Sequence, residues 1–362
     1  MRHSLVLRFK AIISLFALQA MAAGFAQEAV AQRYSDVEQL RIAAIRLQQE
    51  NDSLRMELER YRSSSGFSSW DSLSGIDPDV EPGGFGTFGS VVTSRNDQEL
   101  MEQVCSACPS IGPVTYDKSV REQIENYTEK RVRTMSFALA RYREYMPRFV
   151  PVFQRVGVPE DIAALVIVES AVSVRALSPV GAAGMWQLMP ETAKRFGLRV
   201  DEEMDERYDP VAACEVAARY LKGMHNQFGN WILAIAAYNC GPGNVRKAIA
   251  KAGNGAGLWD IVKYLPAETR GYVPAYMAAR YTLVYAKELE IPSRKVAKPL
   301  GYRVKIREGT EINSLCGSIG IGKDDFYSSN PHIKSSRIPS GGGYVYMSVT
   351  AYKRLSASSS KE

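Results

Sequence analysis

Apolar residues recur three and four positions apart through most of the chain between residues 119 and 289, so the central elements are predicted to be helices. Ser119–Arg155 reads as helical, with mixed charge between its apolar positions. Gly157 can end that stretch, and Pro159 with Glu160 and Asp161 suits the first turn of another helix. Within it Ile162, Leu165, Val166 and Glu169 fall on one face. Asp209-Pro210 opens the next helix, with aspartate at the N-cap and proline in the first turn. Ala213, Ala217, Tyr220, Leu221 and Met224 line one side of it, and it ends near Gly229. Trp231–Asn239 is a second, very apolar helix, stopped by Cys240-Gly241-Pro242-Gly243, and Val245–Ala252 a short one closed by Gly253. A polar stretch from Leu265 to Pro274 precedes a long helix from Ala275 to about Leu289.

The pattern changes towards both ends. Arg2, Arg8 and Lys10 precede the apolar run Ala11–Phe25, and small residues follow, so residues 1–26 read as a signal peptide. The alternative is an uncleaved membrane anchor, although a span needs roughly 20 apolar residues. Residues 34–62 carry a heptad: Leu40, Leu47, Leu54 and Tyr61 occupy d, and Asn51 occupies a. A single asparagine at a favours a paired, parallel coil, hence a homodimer; a lone solvated helix is the other reading. Residues 63–112 form a linker rich in Ser, Gly and Asp, broken by Glu81-Pro82-Gly83-Gly84. Beyond residue 300 the period becomes two. Tyr302–Ile306 and Tyr344–Val349 read as strands, with a short helix over Gly309–Ile319 and a second segment, Asp324–Ser329, leading to Asn330-Pro331.

Composition excludes some classes. The 362 residues carry a formal charge of +6, and removing the three basic residues of 1–26 lowers it to +3. That is too mild to argue for nucleic acid, and it is compatible with an anionic polymer. Cys105 and Cys108 form a CxxC that suits a local disulfide in an oxidising compartment; zinc would need a second pair, which the five cysteines do not offer. Cys214, Cys240 and Cys316 read as buried small residues, and no cofactor or metal is implied.

Glu169 is the candidate for chemistry. A carboxylate ending an apolar stripe is disfavoured in its charged form by burial, and full burial shifts such groups by roughly 3–5 pK units. A carboxylic acid kept partly protonated is what a general acid needs. The plainer reading turns the same carboxylate to water or to an arginine at a helix end. Ser170 follows directly, and the small residues before Gly184-Met185-Trp186-Gln187 would let backbone approach a ligand closely.

Glu169-Ser170, Gly184-Met185-Trp186-Gln187, Ala237-Tyr238-Asn239 and Glu268-Thr269-Arg270-x-Tyr272-Val273-Pro274 stand in an order and spacing that resembles the lytic murein transglycosylases, relatives of goose-type lysozyme. The GMWQ, DERYDP and ETRGYVP forms look like the membrane-bound lytic murein transglycosylase D branch, over roughly residues 119–290. The resemblance implies a mainly α chain, with a lysozyme-like all-helical catalytic domain over 113–292. It implies peptidoglycan glycan strands as substrate and a periplasmic or envelope location. It also implies a single acid: Glu169 protonates the bond between N-acetylmuramic acid and N-acetylglucosamine, then takes the C6 hydroxyl proton as a 1,6-anhydro end forms. Ser170, Met185, Gln187, Tyr238, Asn239 and Tyr272 would bind substrate or position the acid. Asp201, Asp205 and Asp209 are more simply loop and cap residues. Residues 300–352 resemble a divergent LysM domain, a small α+β fold, but Gly309-Thr310-Glu311 replaces the usual Gly-Asp-Thr. A sugar-binding module and a structural cap both remain open for it. For the whole chain, an enzyme, a glycan-binding envelope scaffold and a water-using lysozyme are the competing readings.

Overall fold

The computed structural model describes residues 96–359, apart from 113, 115, 116 and 297–299. The expected signal peptide, the coiled coil with its dimer, and the linker as far as residue 95 lie outside the described residues. The elements run α1 (Asp97–Ala107), α2 (Lys118–Glu125), α3 (Val132–Val156), α4 (Leu165–Ser170), α5 (Pro190–Arg195), α6 (Pro210–Phe228), α7 (Trp231–Cys240), α8 (Pro242–Ala252), α9 (Leu258–Ile261) and α10 (Ala267–Val284). The tail adds β1 (Tyr302–Ile306), α11 (Ile312–Ile319), α12 (Lys323–Ser329), β2 (Gly343–Met347) and α13 (Val349–Ser359). The protein is mainly α. Among the described residues no helix is long and apolar enough to cross a membrane.

One hydrophobic core reaches from Leu100 to Leu289. It therefore begins inside the stretch whose composition reads as linker. Asn96 caps α1 by accepting from the amide of Glu99 (2.8 Å), and Leu100 and Val104, four apart, are fully buried. Arg280 of α10 donates to the Ala107 carbonyl (2.9 Å), which closes the end of α1. The polar composition upstream concealed an apolar stripe only two turns long. Cys105 and Cys108 are free thiols, and burial, followed by the Asp161 carboxylate, pushes the thiol of Cys108 up.

Capping places α6 where the sequence puts it. Asp209 accepts from the amides of Val211 (2.9 Å) and Ala212 (3.1 Å), and Gly229 closes the helix in the left-handed region. Proline misplaces one other boundary. Pro147 and Pro151 lie inside α3, and Pro274 lies inside α10, which starts at Ala267 rather than after the proline. Each proline removes a helix amide, and tertiary packing outweighs that loss. The Ser119–Arg155 stretch is interrupted by a π-helical turn at Asn126–Lys130.

In the tail β1 and β2 pair antiparallel, from Tyr302 opposite Met347 to Ile306 opposite Gly343. One face of this ribbon covers Ile312, Leu315, Ile319 and Phe326, and Met204 of the helical domain completes that small core. The other face carries Arg303 and Tyr346 onto Asp209 (2.9 and 2.6 Å). A two-stranded ribbon is marginal alone, so coverage of both faces accounts for its order. The helix after β2 has no counterpart in the sequence reading.

Burial alone would raise the Asp209 pKa, but His332, the Arg303 guanidinium and the Tyr346 hydroxyl together hold its carboxyl below the usual range. A depressed folded-state pKa means that the charged form stabilises the fold above about pH 4, and that this contribution fades as pH falls through the folded value. Asp209→Asn, which keeps a good N-cap, is expected to be less stable than wild type at pH 7, with the difference shrinking below pH 4 in urea unfolding. Leu100→Ala is expected to cost about 2–5 kcal/mol in the same assay, as a fully buried leucine should. A residue in a flexible linker would show no change.

Candidate functional site

Glu169 occupies the last turn of α4, after a 3-10 turn at Glu160–Ala164. Ile162, Leu165 and Val166 are fully buried below it, and the carboxylate itself is half-buried. The helix stops abruptly. Ala171 (φ 50°) and Val172 (φ 62°) both lie in the left-handed region, and their amides close the carbonyls of Ile167 (2.9 Å) and Val166 (3.2 Å). A β-branched residue at positive φ is an outlier, and backbone strain of this kind concentrates at functional sites. Gln187, at φ 44°, is a third such residue in the loop facing the helix.

Tyr272 of α10 donates its hydroxyl hydrogen bond to Oε1 of Glu169. Burial, then the Glu169 carboxylate, holds the Tyr272 phenol well above its ordinary value, so it remains a donor. Tyr238 is raised for the same two reasons in the same order. Its hydroxyl donates to the Trp186 carbonyl (2.7 Å). Asn239 follows on α7, and Thr269 donates to its Oδ1 (2.8 Å), fixing the amide with Nδ2 as the outward donor. Thr269 was missed by sequence reasoning, although it lies within the ETRGYVP stretch. Its role depends on a partner thirty residues away.

Two expected substrate contacts have other places. Ser170 is fully buried, and its hydroxyl donates to the Met185 carbonyl (2.8 Å) while accepting from the Ser173 amide (3.1 Å). It ties the acid's helix to the loop and presents no surface to a sugar. Met185 is 1% exposed and belongs to the core. Trp186 is fully buried between Phe149 and Phe153, with ring centroids at 5.5 and 5.7 Å. Gln187 is half-buried and donates to the Gly184 carbonyl (2.9 Å), which holds the loop's own turn. The structure thus joins Tyr272 directly to Glu169, sets Tyr238 where its phenol feels the same carboxylate, links Asn239 to α10 through Thr269, leaves Gln187 on its own loop, and buries Ser170 and Met185 behind them.

The acids that the sequence reading assigned to loops and caps are occupied. Asp201 pairs with Arg199, Asp205 with Arg207 (2.7 Å), and Asp209 caps α6. Asp161, buried eight residues before Glu169, accepts from Ser110 and from Tyr276 (3.2 Å). Among the described residues no group of three or more His, Cys, Asp or Glu is placed to hold a metal ion. Glu169 is the carboxyl group with a phenol fixed on one oxygen, and Glu268, at the start of α10, also acts on that phenol.

Residues 154–258 match the Transglycosylase SLT domain family. Over 234 residues the chain is 31% identical to Membrane-bound lytic murein transglycosylase D of Escherichia coli, covering 63% of this chain and 51% of that protein. It is 38% identical over 131 residues to Soluble lytic murein transglycosylase of the same organism, covering 33% of this chain and 20% of that one. Among solved structures, the 70-kDa soluble lytic transglycosylase of Escherichia coli aligns at 26% identity over 56% of this chain and 33% of that chain, with a TM-score of 0.35. The chain spans about half the length of the first of these relatives.

The Tyr272 hydroxyl donates to Oε1, and a hydrogen bond donated to a carboxyl oxygen favours its ionised form. In Tyr272→Phe the Glu169 carboxyl is expected to titrate at higher pH than in wild type, as read from its carboxyl carbon resonance. An unchanged titration would mean that the phenol does not hold the acid.

Proposed function

Because residues 154–258 form a transglycosylase SLT domain, we propose that the protein is a lytic transglycosylase of peptidoglycan with Glu169 as its only acid and base. The observation that carries this reading is the hydrogen bond by which the buried phenol of Tyr272 holds the half-buried Glu169 at the end of its apolar helix. Glycosidases ordinarily need two carboxylates, one for the leaving oxygen and one for water or the anomeric carbon. A single carboxyl suffices when the substrate supplies the other partner.

The steps follow from that count. Glycan laid over the half-buried Glu169 excludes water and favours its protonated form. The acid gives its proton to the oxygen between N-acetylmuramic acid and N-acetylglucosamine, and the C1–oxygen bond breaks. The substrate's own N-acetyl oxygen stabilises C1 from the opposite face. Glu169, now ionised and steadied by Tyr272, removes the proton of the muramoyl C6 hydroxyl. O6 then bonds to C1, giving a 1,6-anhydro end, with Glu169 protonated again and no water consumed. Asn239 and Gln187 supply amide hydrogen bonds to the sugar. The cell envelope is the compartment this substrate requires, and the heptad of 34–62 would pair two copies there.

Glu169→Gln is expected to lower turnover between about a hundred- and ten-thousand-fold, the usual contribution of a general acid, while binding to peptidoglycan persists. Mass spectrometry of the released fragments is the test. Anhydro-ended products lost in the variant support the proposal, and reducing ends would replace it with hydrolysis by water. Binding without any product from wild type would leave a scaffold.

A further inference from the structure

The tail and the active-site loop both rest on one short segment. Residues 204–209 run between them, and their side chains alternate in allegiance. Met204 is buried in the tail's core, and its backbone bridges Ile333. The Asp205 amide donates to the His332 carbonyl of the tail (2.8 Å). Asp209 accepts from Arg303 and Tyr346. In between, Arg207 turns the other way. It is held by both oxygens of buried Asp205 (2.9 and 2.7 Å), and its Nη1 donates to the carbonyls of Gly181 (2.6 Å) and Leu188 (3.2 Å).

Those two carbonyls are the ends of the loop that holds Met185, Trp186 and Gln187. One guanidinium therefore closes the loop like a clasp. The contact is close on the backbone as well: a Cβ on Gly184 would stand 1.9 Å from the Arg207 carbonyl oxygen. The loop in turn holds the site, since its Met185 carbonyl takes the Ser170 hydroxyl and its Trp186 carbonyl takes that of Tyr238. A fixed planar donor with a bidentate acid partner has few other arrangements. Whatever sets the course of residues 204–209 sets the loop, and behind it the acid.

We infer that the tail is a brace for the active site: by gripping residues 204–209 it keeps the Asp205–Arg207 clasp in place, and Arg207 is a positioning residue for the catalytic loop. The inference rests on Glu169 being the acid for its consequence in turnover, but not for its consequence in loop order. It gives the tail a structural contribution that is felt even by a short, soluble substrate, independently of any sugar binding by the tail.

The test compares full-length wild type with Arg303→Met, Arg303→Lys and Arg207→Lys by hydrogen–deuterium exchange and by turnover of soluble, uncrosslinked peptidoglycan strands. In Arg303→Met, peptides from 181–188 are expected to exchange faster while those from α3 keep wild-type protection. Turnover should fall about tenfold in kcat, the fold-change matching one charge-assisted hydrogen bond, with KM within about twofold. Arg303→Lys should restore most of both, because it keeps the charge facing Asp209. Arg207→Lys, which cannot span the two carbonyls, should loosen 181–188 without undocking the tail. If Arg303→Met does not fold, Tyr346→Phe, which removes the hydroxyl's hydrogen bonds to Asp209 and from Arg303 and keeps the ring, carries the same comparison. Wild-type exchange at 181–188 in a variant with an undocked tail overturns the brace, and so does unchanged kcat. Wild type that turns over no strands removes the enzyme reading instead, and the exchange comparison still decides the brace.

Discussion

The structure depends on one face of α10 being buried together with its polar tips. Thr269, Tyr272, Tyr276 and Arg280 follow one another at three- and four-residue steps, so they form a single seam. A buried donor without a partner costs about 1–3 kcal/mol, and each of these finds one on a different element. Thr269 reaches Asn239 of α7, Tyr272 reaches Glu169 of α4, Tyr276 reaches Asp161 before it, and Arg280 reaches the end of α1. Apolar packing brings these helices together, but it tolerates sliding. Four separate hydrogen bonds along one rod do not, and the acid is the second of the four.

That seam also explains why residues 96–112 belong to the helical domain. Asp161 and Arg280 both turn towards residues 107–110, so α1 closes the far end of the seam that holds Glu169 at its near end. A segment that looks like tether in composition is part of the scaffold of the site.

Local rules were readable, and distant ones were not. Asp209-Pro210 announces a helix start because the cap is made within three residues, and the alternation of Tyr302–Ile306 announces a strand for the same reason. The four motifs and the carboxyl at the end of an apolar stripe located the site. Burial of Ser170 and Met185 could not be read, because it depends on Phe149, Phe153 and the loop arriving from elsewhere in the chain. Arg207, whose partners at Gly181 and Leu188 precede it by 26 and 19 residues, gave no signal beyond its place in DERYDP. Proline was over-read: Pro274 stands inside α10, where the packing of Tyr272 and Tyr276 on either side holds the helix through it. Val172 shows the same limit, since nothing in a valine announces a left-handed backbone that neighbours impose.

The grip of Tyr346 on Asp209 also has a history in time. The two residues are separated by 137 positions, and chains are made at about 5–20 residues per second, so roughly 7 to 27 seconds divide their synthesis. During that interval α6, α7 and α10 are completed around Glu169 while Met204 and Asp209 have no cover from the tail. The nascent chain thus carries every residue of the acid's corner before it carries the lock, and the last strand to be made finishes a site that lies far upstream.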